Sequence, residues 1–201
     1  MTKRLFDIVF SILILMVLVP FFVIIMVFIK TTSKGPIFYF GERIGLNGKK
    51  FRILKFRTMI PDAELQGTTT KINDPRVTRV GFFLRKYKLD ELPQLINVIK
   101  GEMSLVGPRP EVEEHTNEYT EEEKLILTVR PGLTDYASIR FISLDEILGS
   151  ENPHQVYVSG VRAEKNQLRM KYVNERSFFV DLKIIGLTFV SLMRKVTGPL
   201  G

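Results

Sequence analysis

The run from Ile8 to Ile29 constrains this chain more than any other feature. Between Leu5 and Ile29 the only charge is Asp7. As a straight helix, Ile8 to Ile29 rises about 33 Å, enough to cross the hydrocarbon of a bilayer. A cleaved leader does not fit, because the apolar region is too long and no small-residue cleavage site follows it. Pro20 sits near the middle, where it removes a backbone hydrogen bond and crowds the preceding turn, so a kink is expected. Lys3 and Arg4 flank one end and Lys30 and Lys34 the other. Basic residues at both ends suit a hairpin that enters and leaves through the cytoplasmic face. Asp7 has Lys3 and Arg4 close by as partners at interface depth. The residues leave a straight span and a hairpin both open, because spanning helices also contain proline.

Beyond Lys34 the pattern becomes that of a globular unit. Ile37–Phe40 reads as a strand, Asn47-Gly48 as a hairpin turn, and Phe51–Met59 as a second strand alternating apolar with basic residues. Pro61–Asn73 is polar, a loop or short helix, and Phe82–Tyr87 is helical. Leu92, Leu95, Ile96 and Ile99 form an apolar repeat that Gly101 ends. Glu111–Lys124 is acidic and helix-prone, a solvated face with a helix start at Thr120-Glu121-Glu122-Glu123. Ala163–Glu175 reads as a charged helix. Phe178–Val196 is an amphipathic one, serving as a core helix, an interfacial helix or a face for a partner chain in a homodimer. The expected fold is α/β, mostly helical with a short β-hairpin. Residues 1–34 form the membrane anchor and 35–201 a small catalytic domain.

A net charge of +7 directs attention to anionic partners: nucleic acid, an anionic lipid surface or phosphorylated substrates. With no cysteine, disulfides and thiolate metal sites are excluded. His115 and His154 are isolated from one another in the sequence and do not resemble a zinc site.

The chemistry concentrates between Leu84 and Pro110. Asp90 and Glu91 are adjacent carboxylates at a helix start, with Pro93 tolerated in the first turn. Such a pair ordinarily caps a helix; it also binds hard cations, or supplies a nucleophile. Here Arg85, Lys86 and Lys88 precede it, and Pro108-Arg109-Pro110 holds one guanidinium in a rigid segment. Arg130-Pro131-Gly132 repeats that logic, and guanidinium forks match phosphate oxygens. Lys55 and Arg57 on the second strand add a cationic wall. Cations, carboxylates and an anchor together point to phosphoryl transfer near a lipid surface. The nearby cations are expected to lower both carboxylate pKa values and keep Asp90 ionised. No Walker loop or dinucleotide glycine fingerprint is present.

Taken in order, Asn73-Asp74-Pro75-Arg76-Val77-Thr78-Arg79-Val80-Gly81, Leu89-Asp90-Glu91-Leu92-Pro93-Gln94, Gly107-Pro108-Arg109-Pro110 and Val129-Arg130-Pro131-Gly132 closely resemble the bacterial sugar transferase family, the monotopic phosphoglycosyltransferases, in its minimal, PglC-like form. The resemblance implies transfer of a sugar-1-phosphate from a UDP-sugar to undecaprenyl phosphate with release of UMP. It implies Asp90 as nucleophile forming a covalent phosphosugar intermediate, and Glu91, with Asp90 beside it, as ligand of Mg²⁺. Arg85 and the arginine of Pro108-Arg109-Pro110 would bind donor phosphates, with Lys55, Arg57 and Arg130 as further contributors. The family's anchor is a re-entrant helix broken at the position of Pro20, which puts the catalytic domain on the cytoplasmic face of the bacterial inner membrane, with membrane lipid as a partner and nucleic acid not. The sequence departs from the family after Gly132, where Leu133-Thr134-Asp135-Tyr136-Ala137-Ser138-Ile139-Arg140 replaces a run that usually carries glutamine, asparagine and glycine. Arg140 falls earlier than the family's arginine and is the candidate for its place. The competing readings are a membrane-tethered binding module for anionic ligands and a member that binds donor without turnover.

Overall fold

The computed structural model describes residues 2–63, 74–144, 147 and 153–197. Most of the Pro61–Asn73 expectation therefore lies outside the described residues. The chain is mostly helical, as expected, with a small amount of sheet. Helix α1 (Thr2–Thr32) leads into a hairpin of β1 (Phe38–Ile44) and β2 (Lys50–Phe56). The hairpin turn uses the left-handed backbone at Asn47 and Gly48, as the Asn-Gly pair dictates. Register runs from Phe38 opposite Phe56 to Ile44 opposite Lys50. Helix α2 (Arg79–Lys86) starts where the Thr78 hydroxyl accepts from the Gly81 amide. A 3-10 turn, Leu89–Gln94, runs into α3 (Leu95–Lys100), which ends at Gly101 with φ of +90°. Only glycine adopts that backbone without strain.

Further along are β3 (Ser104–Val106), α4 (Glu113–Asn117), β4 (Gly132–Thr134), α5 (Tyr136–Arg140), α6 (Arg162–Glu175) and α7 (Phe178–Thr197), with short helical turns at Glu123–Thr128 and, leading into α6, from Pro153 to Val161. Strands β3 and β4 form a parallel pair that the single expected hairpin did not include. It brings the two Pro/Gly loops together: Gly132 donates to the Pro108 carbonyl at 3.0 Å, and a Cβ on Gly132 would lie 2.1 Å from the Gly107 nitrogen. The Thr120–Glu123 helix start forms as a reciprocal capping box, Thr120 amide to Glu123 carboxylate at 2.9 Å and Glu123 amide to Thr120 hydroxyl at 3.2 Å. The main core gathers Ile53, Leu95, Val98, Met103, Val106, Tyr172 and Ile184 beneath α3, β3 and α7. Asn97 ties α3 to the hairpin: its side-chain oxygen accepts from the Leu54 amide and its nitrogen donates to the Arg52 carbonyl, imitating another strand.

Helix α1 runs unbroken through Pro20, so the break expected there does not interrupt the helix, and it is fastened to the same body at both ends. Near its start Arg4 donates to the Val98 and Ile99 carbonyls, satisfying the end of α3. Asp7 does not pair with Lys3 or Arg4. It accepts from the Ser104 hydroxyl at 2.8 Å, while Lys3 pairs with Asp181 of α7. The reason is packing: the first turns of α1 lie against α3 and β3, which supply closer partners than the helix itself. At the other end Ile29 is buried with Phe56 and Leu84, and Phe22, Ile25 and Met26 pack against them. The opposite face leaves Val17, Val19 and Phe21 more than half exposed. Among the described residues α1 is the one helix long and apolar enough to cross a membrane. A continuous face of this kind needs an apolar partner.

Candidate active site

Asp90 and Glu91 occupy the first turn after α2, on a backbone set by Lys88. Lys88 has φ of +57°, an uncommon conformation for a lysine and one that marks stored strain. That reversal sends the two carboxylates into different surroundings. Asp90 faces a polar pocket of about 490 Å³ lined by Tyr39, Lys55, Arg57, Thr58, Arg85 and Lys88 among others. Glu91 lines both this pocket and an apolar groove of about 530 Å³ between α1, α5 and α7.

The electrostatics follow that split. Asp90 is only 6% exposed, and its Oδ1 is buried with no hydrogen-bond partner among the described residues. Burial and then the adjacent Glu91 charge push the Asp90 carboxyl above its ordinary range, and Lys55, Arg85 and Lys88 only partly offset them. The expectation that cations would lower both pKa values is therefore corrected for Asp90. It holds for Glu91. Burial alone would raise that carboxyl, but Arg109, Lys55 and Lys88 outweigh it and hold it well below the usual range. Glu91 Oε1 accepts from Lys55 at 2.9 Å and from Arg109. Lys55, in turn, is lowered by burial.

The other candidates separate. Arg85 lines the polar pocket and donates to the Thr58 hydroxyl at 2.9 Å, docking α2 beside Asp90. Arg57 also lines it, but both of its terminal nitrogens are taken by the end of the anchor, the Lys34 carbonyl at 2.6 Å and Ser33 at 2.7–2.9 Å. It acts as a strap for α1 more than as a phosphate wall. Arg109 lines the groove side, across Glu91, with Pro108 fully buried behind it and Pro110 half-buried after it. Its amide donates to Asp135 at 3.1 Å. Arg130 and Arg140 line neither cavity. Arg130 donates to the Gly101 carbonyl, closing the end of α3. Arg140 pairs with Glu164 at 3.0 Å on the surface, stacked on Phe141. Pro20 lies within α1, away from these carboxylates in the chain.

The family model described as bacterial sugar transferase matches residues 1–195. This chain belongs to the bacterial sugar transferase family. It is 40% identical over 201 residues to the exopolysaccharide production protein ExoY of Rhizobium meliloti, covering 92% of this chain and 82% of that one. It is 38% identical to the uncharacterized sugar transferase EpsL of Bacillus subtilis, covering 92% of this chain and 84% of the relative. It is 37% identical to the UDP-glucose:undecaprenyl-phosphate glucose-1-phosphate transferase of Escherichia coli, again over 92% of this chain but only 39% of that longer protein.

This sugar transferase holds one further charged cluster that the sequence reading missed. Glu111, taken as part of a solvated acidic face, accepts from Arg169 of α6 and from the Tyr157 hydroxyl at 3.1 Å, with Lys165 at 3.6 Å and His115 at 3.3 Å. Burial would raise Glu111, but Arg169 and Lys165 hold it well below the ordinary range. Burial drops Lys165 to about 8. Glu111 lies two residues after Arg109, so this cluster braces the loop that carries the groove-side guanidinium. The one clue in the sequence was the carboxylate directly after Pro108-Arg109-Pro110.

Proposed function

We propose that this chain transfers a sugar-1-phosphate from a UDP-sugar to undecaprenyl phosphate and releases UMP, with Asp90 as the nucleophile. The observation that carries the reading is the buried Asp90 carboxylate, one oxygen unpartnered, on the wall of a pocket lined by Lys55, Arg85 and Lys88. The names of the longer relatives, which specify glucose-1-phosphate transfer from UDP-glucose to undecaprenyl phosphate, support the reaction class.

In this reading the donor diphosphate lies in the polar pocket, its charge met by Lys55 and Arg85. An Asp90 oxygen attacks the sugar-proximal phosphorus. The bridging P–O bond breaks, UMP departs with that oxygen, and an aspartyl phosphosugar remains. An oxygen of the acceptor phosphate then attacks the same phosphorus, the bond to Asp90 breaks, and the free carboxylate returns. No net proton transfer is required. Poor solvation makes the ionised Asp90 carboxylate a better nucleophile than an exposed one, while Lys55, Arg85 and Lys88 partly offset the burial that disfavours its ionised form. Glu91, fixed between Lys55 and Arg109, keeps both cations in place.

For Mg²⁺ the donor set fits. Among the described residues no cluster of three or more acidic, His or Cys ligands stands ready as an all-protein cage. Mg²⁺, however, characteristically takes one or two carboxylates together with substrate phosphates, and Asp90 Oδ1 is an unpartnered buried oxygen beside Glu91. Glu91, with Asp90 beside it, would hold the ion, which supplies charge neutralisation on the diphosphate when bound.

The two-ended fastening of α1 supports a re-entrant anchor. A straight helix of its length measures about 46 Å, yet its start is bonded to α3 and β3 and its end packs against β2 and α2. This favours both ends on the cytoplasmic face of the inner membrane, with the outer apolar face in lipid. The reaction is tested by following Mg²⁺-dependent UMP release from a panel of UDP-sugars with undecaprenyl phosphate. Continued turnover that requires the lipid phosphate, beyond one UMP per chain, and that disappears in Asp90→Asn supports it; no release with any donor rejects it.

A further inference from the structure

The apolar groove is built from two helices whose stripes face one another without filling the space between. Helix α1 contributes Phe10 and Ile14, one turn apart, and α7 contributes Leu182, Ile185 and Phe189 at spacings of three and four. Stripes at such spacing ordinarily pack together. Here Phe10, Leu182 and Phe189 stay between about two-fifths and two-thirds exposed, beside the lipid-facing surface of α1. The charged residues of the lining are Lys88, Glu91, Arg109 and Lys165. Glu91 is committed to Arg109, and Lys165 lies near Glu111. The Lys88 side chain makes no hydrogen bond or ion pair among the described residues, and the residue lines both the groove and the polar pocket. Its left-handed backbone places it there, two residues before Asp90. A phosphate monoester carries nearly two negative charges at neutral pH, and an unpaired lysine between Asp90 and a hydrocarbon-lined groove is complementary to such a head on an apolar tail.

We propose that the groove seats the first isoprene units of the acceptor lipid and that Lys88 receives its phosphate. This rests on the transferase reading above and adds to it the place and the contacts of the second substrate. The donor and acceptor then approach Asp90 from opposite sides of Glu91, so both can be bound in turn without exchanging pockets.

Two measurements on the full chain in nanodiscs test it. In the first, a polyprenyl phosphate with a diazirine in its second isoprene unit is photolysed on the protein and the labelled residues are mapped. Label on Phe10, Ile14, Leu182, Ile185 or Phe189, displaced by unlabelled polyprenyl phosphate but not by phosphatidylglycerol, is expected. Label spread over the outward face of α1, or displaced equally by the phospholipid, overturns the proposal and identifies the groove as ordinary bilayer contact. This measurement needs no turnover, so it stands even if the transferase reading fails. In the second, Lys88→Met is expected to raise the KM for polyprenyl phosphate about tenfold and the KM for the UDP-sugar less than twofold. Leu182→Ala with Phe189→Ala should raise the acceptor KM about tenfold for a long chain and much less for a ten-carbon prenyl phosphate. The off-groove pair Leu187→Ala with Met193→Ala should leave both constants unchanged. A Lys88 effect confined to the donor, or equal effects of the two alanine pairs, contradicts the assignment.

Discussion

On either side of Glu91 lie two cavities of nearly equal size, about 490 and 530 Å³, and opposite chemistry. The first is walled by Lys55, Arg57 and Arg85 and contains the Asp90 carboxylate. The second is walled by phenylalanine, leucine and isoleucine from α1, α5 and α7. What separates them is one peptide unit. Asp90 turns into the polar side, buried without a partner and raised in pKa, and Glu91 turns to the boundary, where a cation from each side holds it ionised. Adjacency in sequence therefore gives no guide to role: two neighbouring carboxylates under the same cations are driven in opposite directions by burial and pairing.

The largest way to break that contrast is Asp90→Asn, which keeps shape and removes the proposed nucleophile. Turnover should fall at least about a thousandfold in a UMP-release assay. Glu91→Gln comes next. It leaves the part-buried Lys55 and Arg109 without their shared anion, so turnover should fall about a hundredfold, and chemical denaturation should show about 1–3 kcal/mol of lost stability. Activity near wild type in Glu91→Gln would mean the boundary is not electrostatic. A third test uses pH. With Asp90 as the nucleophile the rate requires its ionised form, whose pKa lies above the ordinary carboxylate value, so the rate is lost as pH falls through that raised value. Lys55→Met removes a charge that lowers Asp90, and the acid limb of kcat/KM should move to higher pH. An unmoved limb would assign the titration elsewhere. The smallest effects belong to the arginines outside both cavities: Arg130→Ala and Arg140→Ala should change kcat/KM by less than about threefold, the scale of surface substitutions away from a site.

Legibility in the sequence tracked how local each feature is. The Asn47-Gly48 turn, the Gly101 stop and the Thr120–Glu123 capping box are all decided within a few residues, and all appear where the residues put them; the apolar helix α1 also forms, but without the expected break at Pro20. The adjacent carboxylates at a helix start, with Arg85 beside them, were equally legible. The parallel pairing of β3 with β4 was not, because three-residue strands carry no periodicity and their partners are remote in the chain. Glu111 lay hidden in an acidic run, since its partner Arg169 is 58 residues away. Arg57 and Arg109 were recognised as cations near the site, but which carbonyl or carboxylate each engages depends on how α1 and the Pro108–Pro110 loop pack. The opposite pKa shifts of Asp90 and Glu91 likewise depend on burial, which charge counting along the sequence does not contain.

The most direct test of Asp90 as nucleophile is intact-mass measurement on the chain incubated with a UDP-sugar and Mg²⁺ in the absence of any lipid phosphate. The account predicts a gain of one sugar phosphate per chain, an equal amount of UMP, localisation of the adduct to the Leu89–Gln94 segment, and no gain in Asp90→Asn. UMP formed only when polyprenyl phosphate is added, with no mass change before it, would contradict the account and indicate direct attack of the acceptor on the donor.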